Sequence, residues 1–465
     1  MGASSVLLGS AFMLAAGAAL AQTAAGTSTG VSASTYSTDL MQLYREARLE
    51  DPQVLASYAQ AQAGKEHQRE ALGSLLPQLS LNAGANRIHQ ENDLIQQRSF
   101  DSESYSLVLR QYLYNKAAWE NYQKFKSLAK QSESEALDTQ AEAAVELARR
   151  YFTALAAEDE LELVRAERRT TQKSLDRVNA LYAKQMALIT DQLDLKARVD
   201  LLAAQELDAR NQASISREAL AELVGRPVKE KLNRIRDDAQ LRVSAQSLES
   251  WVRDGMELNP TLKASESGAE AANAALRSGK GGHYPTVSLN LSAQQTNEGY
   301  NNTLAPRTDS YVAGIGVQVP LYSGGSTSAR VRGLYQDQLV AEQQLEAIRR
   351  RVVKEITSAY LTANSNGEKI DASRSALASA QLSRVAAEKG LSYGMVNAVD
   401  VLTSVRNEFR ARRDLLKTQY DFLSNVFTLN RWAGKPPVES IENVNAWLSP
   451  GSASQAMGVR VEDQE

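Results

Sequence analysis

Carboxylates at helical spacing are the side chains of this sequence best placed to do chemistry. Asp191 and Asp194 stand three residues apart just after Met186, a spacing that puts both on one side of a helix. Asp400 closes a second segment of the same form, Met395 to Asp400, with Thr403 three residues further on. Paired carboxylates can act as general acid and base or hold a hard cation; repeated around a pore they form a ring that favours cations. Other chemistries are thinly supplied. The three histidines (His67, His89 and His283) are too few for histidine catalysis or a metal centre. With no cysteine, thiolate metal sites, cysteine nucleophiles and disulfide scaffolds are excluded. Gly279-Lys280-Gly281-Gly282 lacks the spacing and the Ser/Thr of a phosphate loop and reads as a hinge before a strand. No cofactor and no metal is expected. A hydrolase built on Asp191 and Asp194 would need a concave catalytic domain that the pattern does not offer, so an enzyme is not expected.

The charge balance, 52 Lys+Arg against 55 Asp+Glu, gives a net charge of −3 and no footprint for nucleic acid. Arg349-Arg350-Arg351 and Arg410-Ala411-Arg412-Arg413 read as solvated helix faces or inter-helix ion pairs.

The elements that carry these carboxylates occur twice. Pro77-Gln-Leu-Ser-Leu81 matches Pro285-Thr-Val-Ser-Leu289, and Leu113-Tyr114 matches Leu321-Tyr322, both at an offset of 208 residues. Tyr151 to Ala154 matches Tyr360 to Ala363, Met186 and Asp191 match Met395 and Asp400, and Gly225 to Val228 matches Gly434 to Pro437, all at 209. Matches in one order, drifting by a single residue, define two copies of one unit. Each unit reads as strand, strand, long helix, returning helix, preceded by helical material at Thr38–Ser74 and Gln246–Ser278.

In the first copy Leu79, Leu81, Ala83 and Ala85 alternate with polar residues, followed by Tyr105, Leu107 and Leu109. In the second, Val287, Leu289, Leu291 and Ala293 alternate likewise, followed by Tyr311, Ala313, Ile315, Val317 and Val319. The strand connections are expected in the polar stretches Gln90–Phe100 and Thr296–Asp309 rather than in tight turns. From Asn115 to Val224 there is neither Gly nor Pro, a strong bias to helix. A helix running from the strands to Met186 or Met395 is ~100 Å long at 1.5 Å per residue, and such helices pack side by side in coiled coils or bundles. The apolar stretches at Met186–Asp191 and Met395–Asp400 reverse the chain, with each Asp as N-cap or first-turn residue of the returning helix.

Residues 1–21 end in Ala19-Leu20-Ala21 after an uncharged apolar run and read as a signal peptide, with an N-terminal anchor as the alternative; no Lys or Arg precedes the run. Residues 22–36 are Ala/Thr/Ser/Gly-rich and read as a flexible linker. Repeat 1 spans 37–228 with barrel strands at about 78–114, repeat 2 spans 229–437 with strands at about 285–321, and 438–465 form a tail. No later run is long enough for a spanning helix, so a membrane protein of this sequence must use strands. Four two-faced strands cannot close alone, and an open edge is not tolerated in lipid. Two chains would close a ring of eight, whose lumen side chains normally fill, and three chains a ring of twelve, which is the count preferred. The fold class expected is therefore an α+β membrane protein: antiparallel helical hairpins forming a coiled-coil barrel, plus four strands per chain in a trimeric twelve-stranded β-barrel. Tyr105, Tyr112, Tyr114, Tyr284, Tyr311 and Tyr322 lie near strand ends, as an interfacial belt would.

The duplicated strands and long helices, Leu75-Leu-Pro-Gln-Leu79, Pro320-Leu-Tyr-Ser-Gly-Gly325, the two tip segments and Asn430-Arg-Trp-Ala-Gly-Lys435 together resemble the TolC-type outer membrane channels, over about residues 37–435. The resemblance implies a homotrimer in the outer membrane with a long periplasmic tunnel. It implies an exit duct that docks onto a periplasmic adaptor (membrane fusion) protein and an inner-membrane transporter, in a tripartite efflux pump or a type I secretion system. It places the entrance at the helix tips. The family's two entrance aspartates fall on Asp400 and Thr403, so only the first is kept, and its gate tyrosine and arginine fall on Leu391 and Val396. The copy-one gate partners Thr190 and Asp191 are present. Two readings of the tip carboxylates stay open: rings at a constriction formed by Asp400 with Asp191 and Asp194, or helix caps at Asp400 and Asp191 with Asp194 on a solvated outer face. Cargo stays open among drugs, metals and polypeptides. The competing reading of the whole chain is a periplasmic coiled-coil adaptor or scaffold without a pore.

Overall fold

The structure, a computed structural model, describes residues 37–92, 95–236, 239–299 and 307–449. The expected signal peptide and linker, residues 300–306 of the second strand connection, and the tail from residue 450 lie outside the described residues.

In chain order the elements are β1 (Ser37–Thr38), α1 (Leu40–Glu50), α2 (Pro52–Gly73), β2 (Gln78–Asn92), β3 (Ile95–Tyr114), α3 (Lys116–Ala183) and α4 (Ile189–Val224). There follow β4 (Lys231–Leu232), β5 (Arg234–Ile235), α5 (Leu248–Leu258), α6 (Pro260–Gly281), β6 (Thr286–Gly299) and β7 (Thr308–Gln318). The chain ends with α7 (Ser326–Ser392), α8 (Ala398–Trp432), α9 (Pro437–Asn445) and β8 (Leu448–Ser449). The order helix, helix, strand, strand, long helix, shorter helix thus occurs twice. Among the described residues no helix is long and apolar enough to cross a membrane.

The helical material expected at 38–74 and 246–278 forms two helices in each stretch. Asp51 accepts the N–H of Gln53 at 2.8 Å and Asn259 accepts that of Leu262 at 3.0 Å, each immediately before a proline that opens the next helix. Proline cannot donate into the preceding helix, yet its fixed φ suits a first helical position, so one residue pair ends one helix and starts another. The Asn259 amide also donates to the Trp432 carbonyl at 2.9 Å, tying this joint to the end of α8.

β2, β3, β6 and β7 form one antiparallel sheet in that order. Its register aligns the apolar residues in rows: Leu79 with Leu109, Leu291 and Ala313; Leu81 with Leu107, Ala293 and Tyr311. The rows between are mainly polar, as in Asn82, Ser106, Gln294 and Ser310. One face is therefore apolar, and it is bare: Leu81 is 72% and Ile315 67% exposed. The first connection is tighter than its sequence implied. Pairing continues through Gln90 with Arg98 to Asn92 with Ile95, because the backbone ladder extends through polar residues as readily as through apolar ones.

α3 and α7, of 68 and 67 residues, are the long shafts; α3 alone is ~100 Å. Along their sheet-proximal halves they pack against α2 and α6, and along their far halves against α4 and α8. Contacts between α3 and α8 place the far helices in the order α4–α3–α8–α7. The residues read as a hinge, Gly279 to Gly282, are instead the last turn and cap of α6. A Cβ on Gly281 would come within 2.6 Å of the Ala117 amide nitrogen, so glycine there admits α3 to close packing. At the strand-to-helix junction Gly324 and Gly325 both adopt left-handed φ (+63° and +81°), which glycine does without steric penalty.

The main core lies midway, where Leu43, Leu147, Phe152, Leu220, Phe422 and Ile441 are all buried. Phe152 stacks on Tyr420, with ring centroids 6.0 Å apart. α9 contributes Ile441 and Val444 to this core, and β8 pairs with β5, so the first part of the expected tail is structural.

Candidate functional site

Both helical hairpins reverse in the same way. Met186 N–H donates to the Leu181 carbonyl at 2.9 Å, and Met395 N–H to the Gly390 carbonyl at 2.9 Å. Such a bond spanning the last helical turn is a Schellman closure, which needs a left-handed residue just past the helix. Gln185 (φ +57°) and Gly394 (φ +71°) supply it. The closures leave Met186, Leu188 and Ile189 of one tip, and Tyr393 and Met395 of the other, exposed.

Asp191 and Asp400 stand in the first turns of the returning helices, Asp194 in the second turn of α4, and neither Asp191 nor Asp400 is a cap. Asn397 caps α8, its side-chain oxygen accepting the Asp400 N–H at 2.8 Å. The residue before α4 is Leu188, which makes no side-chain cap. A carboxylate in a first turn lies close to the positive end of the helix dipole. Asp400 and Asp194 are exposed, Asp191 is half-buried and Thr190 is exposed. Thr403, in the second entrance position, donates its hydroxyl to the Val399 carbonyl at 2.9 Å. The two hairpins meet at this end: Leu195 and Val199 of α4, Leu175 and Val178 of α3, and Ala398 of α8 form one buried cluster. Leu391 and Val396 are half-buried against Leu163, Val401, Val405 and Phe409, so apolar packing holds the second tip. Among the described residues no three His, Asp or Glu side chains group as a metal site.

Further from the tips the packing becomes ionic. Glu206 of α4 accepts from Arg165 at 3.0 Å and Arg168 at 2.9 Å, which hold its carboxyl below the usual range. Arg413 of α8 reaches Glu160 at 2.8 Å and Glu167 at 3.1 Å on α3. Burial alone would lower the Arg413 guanidinium, but these two carboxylates outweigh it and raise it. Deeper still, the Tyr420 hydroxyl donates to Asp159 at 2.5 Å, and Arg234 lies 3.0 Å from the same carboxylate. Of the Arg cluster in α8, therefore, Arg412 and Arg413 make inter-residue ion pairs, whereas Arg410 is exposed. In α7, Arg349 pairs with Glu266 at 3.4 Å, and Arg351 lies over the Trp432 ring at 5.7 Å.

A groove of about 780 Å³ runs between α4 and α8 with α3 as its floor. Arg406 and Arg410 line its α8 side and Asp208 its α4 side. Nothing in the sequence flagged this groove, because it takes residues from three helices far apart in the chain.

A sheet with one bare apolar face is thus joined to helical shafts of ~100 Å. A sequence model of the family described as outer membrane efflux protein matches residues 43–226 and again 251–435. Outer membrane protein TolC of Vibrio cholerae is 28% identical over 90% of this chain and 95% of that protein. The alkaline protease secretion protein AprF of Pseudomonas aeruginosa is 27% identical over 88% of this chain and 86% of that protein. The crystal structure of CusC, described for its folding and transmembrane channel formation, superposes with a TM-score of 0.77 at 17% identity, covering 88% of this chain and 96% of that one. The chain belongs to the outer membrane efflux protein family. It is an outer-membrane exit duct of the TolC type, for efflux or secretion.

Proposed function

We propose that three copies of this chain close their sheets into one twelve-stranded barrel and their helices into one periplasmic tunnel, making a passive duct. The sheet carries the reading. Its apolar rows run in register across all four strands, while among the described residues β2 and β7 are the outer strands of the sheet, each with one edge that no strand pairs. Lipid admits the bare face but not the bare edges, so the edges pair with sister chains. The two family-model matches support a division into repeats 37–228 and 229–437, one helical hairpin in each.

The duct narrows at the tips, where Asp400, with Asp191 and Asp194, rings the entrance with carboxylates and favours cations. The Thr190 hydroxyl stands beside Asp191 at this entrance. Transport energy comes from an inner-membrane transporter, and a periplasmic adaptor couples the two. The groove between α4 and α8 suits a helix of that adaptor, with an acidic stripe toward Arg406 and Arg410, and the exposed Met186 and Met395 suit an apolar cap. Heat-sensitive trimers in detergent-extracted outer membranes, together with discrete conductance in planar bilayers, are the expected results. A monomer without pore activity would return the reading to a coiled-coil scaffold.

A further inference from the structure

Two buried glutamates tie all four far helices together at one level. Glu167 of α3 is 1% exposed, and its two carboxylate oxygens serve different helices: one accepts from Arg198 of α4, the other from Arg413 of α8 at 3.1 Å. Glu408 of α8 is 2% exposed and accepts from Arg384 of α7 through one oxygen and from Arg412 at 2.7 Å through the other. Arg412 thus stays with Glu408 on its own helix, while its neighbour Arg413 reaches α3. Two charge-assisted clusters that adjoin on α8 thus link α4 to α3, α3 to α8 and α8 to α7.

Between this belt and the tips the interactions change in kind. Among the described residues no ion pair joins two of these helices on the tip side of Arg168, Arg198, Arg384 and Glu408; the apolar cluster around Leu195 joins them there, and the one around Val401 crosses the belt, with Leu163, Ala166 and Phe409 on its sheet side. α3 extends a further 15 residues to Ala183, ~22 Å of helix beyond the belt. Separating a desolvated carboxylate from its arginines strands a buried charge, whereas parting small apolar surfaces does not. Motion therefore concentrates where the contacts are apolar.

We propose that the belt of Glu167 and Glu408 is the bending line of the entrance, with the shafts moving as one body on its sheet side and the tips moving independently beyond it. This rests on the duct reading for its purpose, but the bend itself is a property of the helices. Glu167 and Glu408 are positioning residues: they fix how far up the shafts any opening can spread.

Hydrogen exchange read by mass spectrometry on the full-length protein in detergent tests it. Amides of 169–183 and 398–407 exchange at least ~10-fold faster than those just on the sheet side of the belt. In Glu167→Gln, fast exchange spreads along α3 and α8 past Glu160 and Arg413, while the sheet strands stay protected. Arg413→Lys, which keeps the charge but loses the fork, gives the same shift if the first variant folds poorly. Even protection along α3, a step unmoved in both variants, or a loss spread equally over the sheet overturns the proposal. Bilayer conductance of the same wild-type preparation judges the duct separately: a pore without a step sinks only the bending line, and a step without a pore sinks only the duct.

Discussion

Gln185 and Gly394 occupy the same left-handed position in the two tip closures, at φ +57° and +71°, 209 residues apart. The first tip carries a strain that the second avoids, because a side chain in this region crowds the following carbonyl. Gln185→Gly should relieve about 1 kcal/mol of it, less the extra entropy a glycine loses on folding. The gain is local. Slower amide exchange in the last turn of α3, with an unchanged melting temperature of the trimer, is the expected outcome.

Because Asn397 caps α8, the Asp400 carboxylate is not consumed in holding its own helix. Asp400→Ala should change stability by no more than about 0.5 kcal/mol, as exposed positions usually do. Asn397→Ala should lose about 1 kcal/mol, the usual worth of a cap. In planar bilayers Asp400→Ala should shift the reversal potential toward weaker cation preference. Unchanged currents would take Asp400 out of the pore.

Acid should loosen the join between α3 and α6 just below the sheet. Glu120 of α3 is buried, which pushes its carboxyl up, but hydrogen bonds from Lys116 (2.6 Å) and Arg277 of α6 (2.7 Å) outweigh this and hold it below its usual value. A carboxyl depressed in the fold contributes stability that is present above its unfolded pKa of 4.5 and is lost as pH falls through the lower folded value. Glu120→Gln should remove this part of the acid sensitivity and cost about 1–3 kcal/mol at neutral pH. Melting curves of both proteins between neutral pH and acid compare the slopes directly.

The two faces of the sheet should answer differently to one substitution. Leu291→Arg, on the apolar rows, should cost about 2–4 kcal/mol in lipid and lower the yield of heat-sensitive trimers. Ser292→Arg points to the other face and should leave assembly intact. Equal yields from the two would contradict a lipid-facing Leu291.

Much of this was legible in the residues themselves. Period-two alternation at Leu79–Ala85 and Val287–Ala293 sets a two-faced strand whatever its neighbours, and the Gly- and Pro-free run from Asn115 has no alternative to helix. The paired tips were readable because a reversal begins with local chemistry, an apolar break in the polar helical pattern, although the cap was not: Asn397 caps α8 and α4 has no side-chain cap. The polar end of β2 was not readable, since its pairing is made by backbone groups that every residue carries. The joints at Asp51-Pro52 and Asn259-Pro260 are local signals too, but the long helical pattern around them masks the break.

Local periodicity and turn chemistry, carried by consecutive residues, are what the sequence alone determined: strands, shafts, reversals and their doubling. Tertiary structure alone decided which arginine meets which glutamate, that Glu167 faces both α4 and α8, and that Asn397 rather than Asp400 closes its helix. Glu167 and Arg413 are 246 residues apart, and nothing in either's neighbourhood along the chain distinguishes it from the many exposed charges on these helices. Only the packing of three helices removes water from one carboxylate and leaves the others solvated.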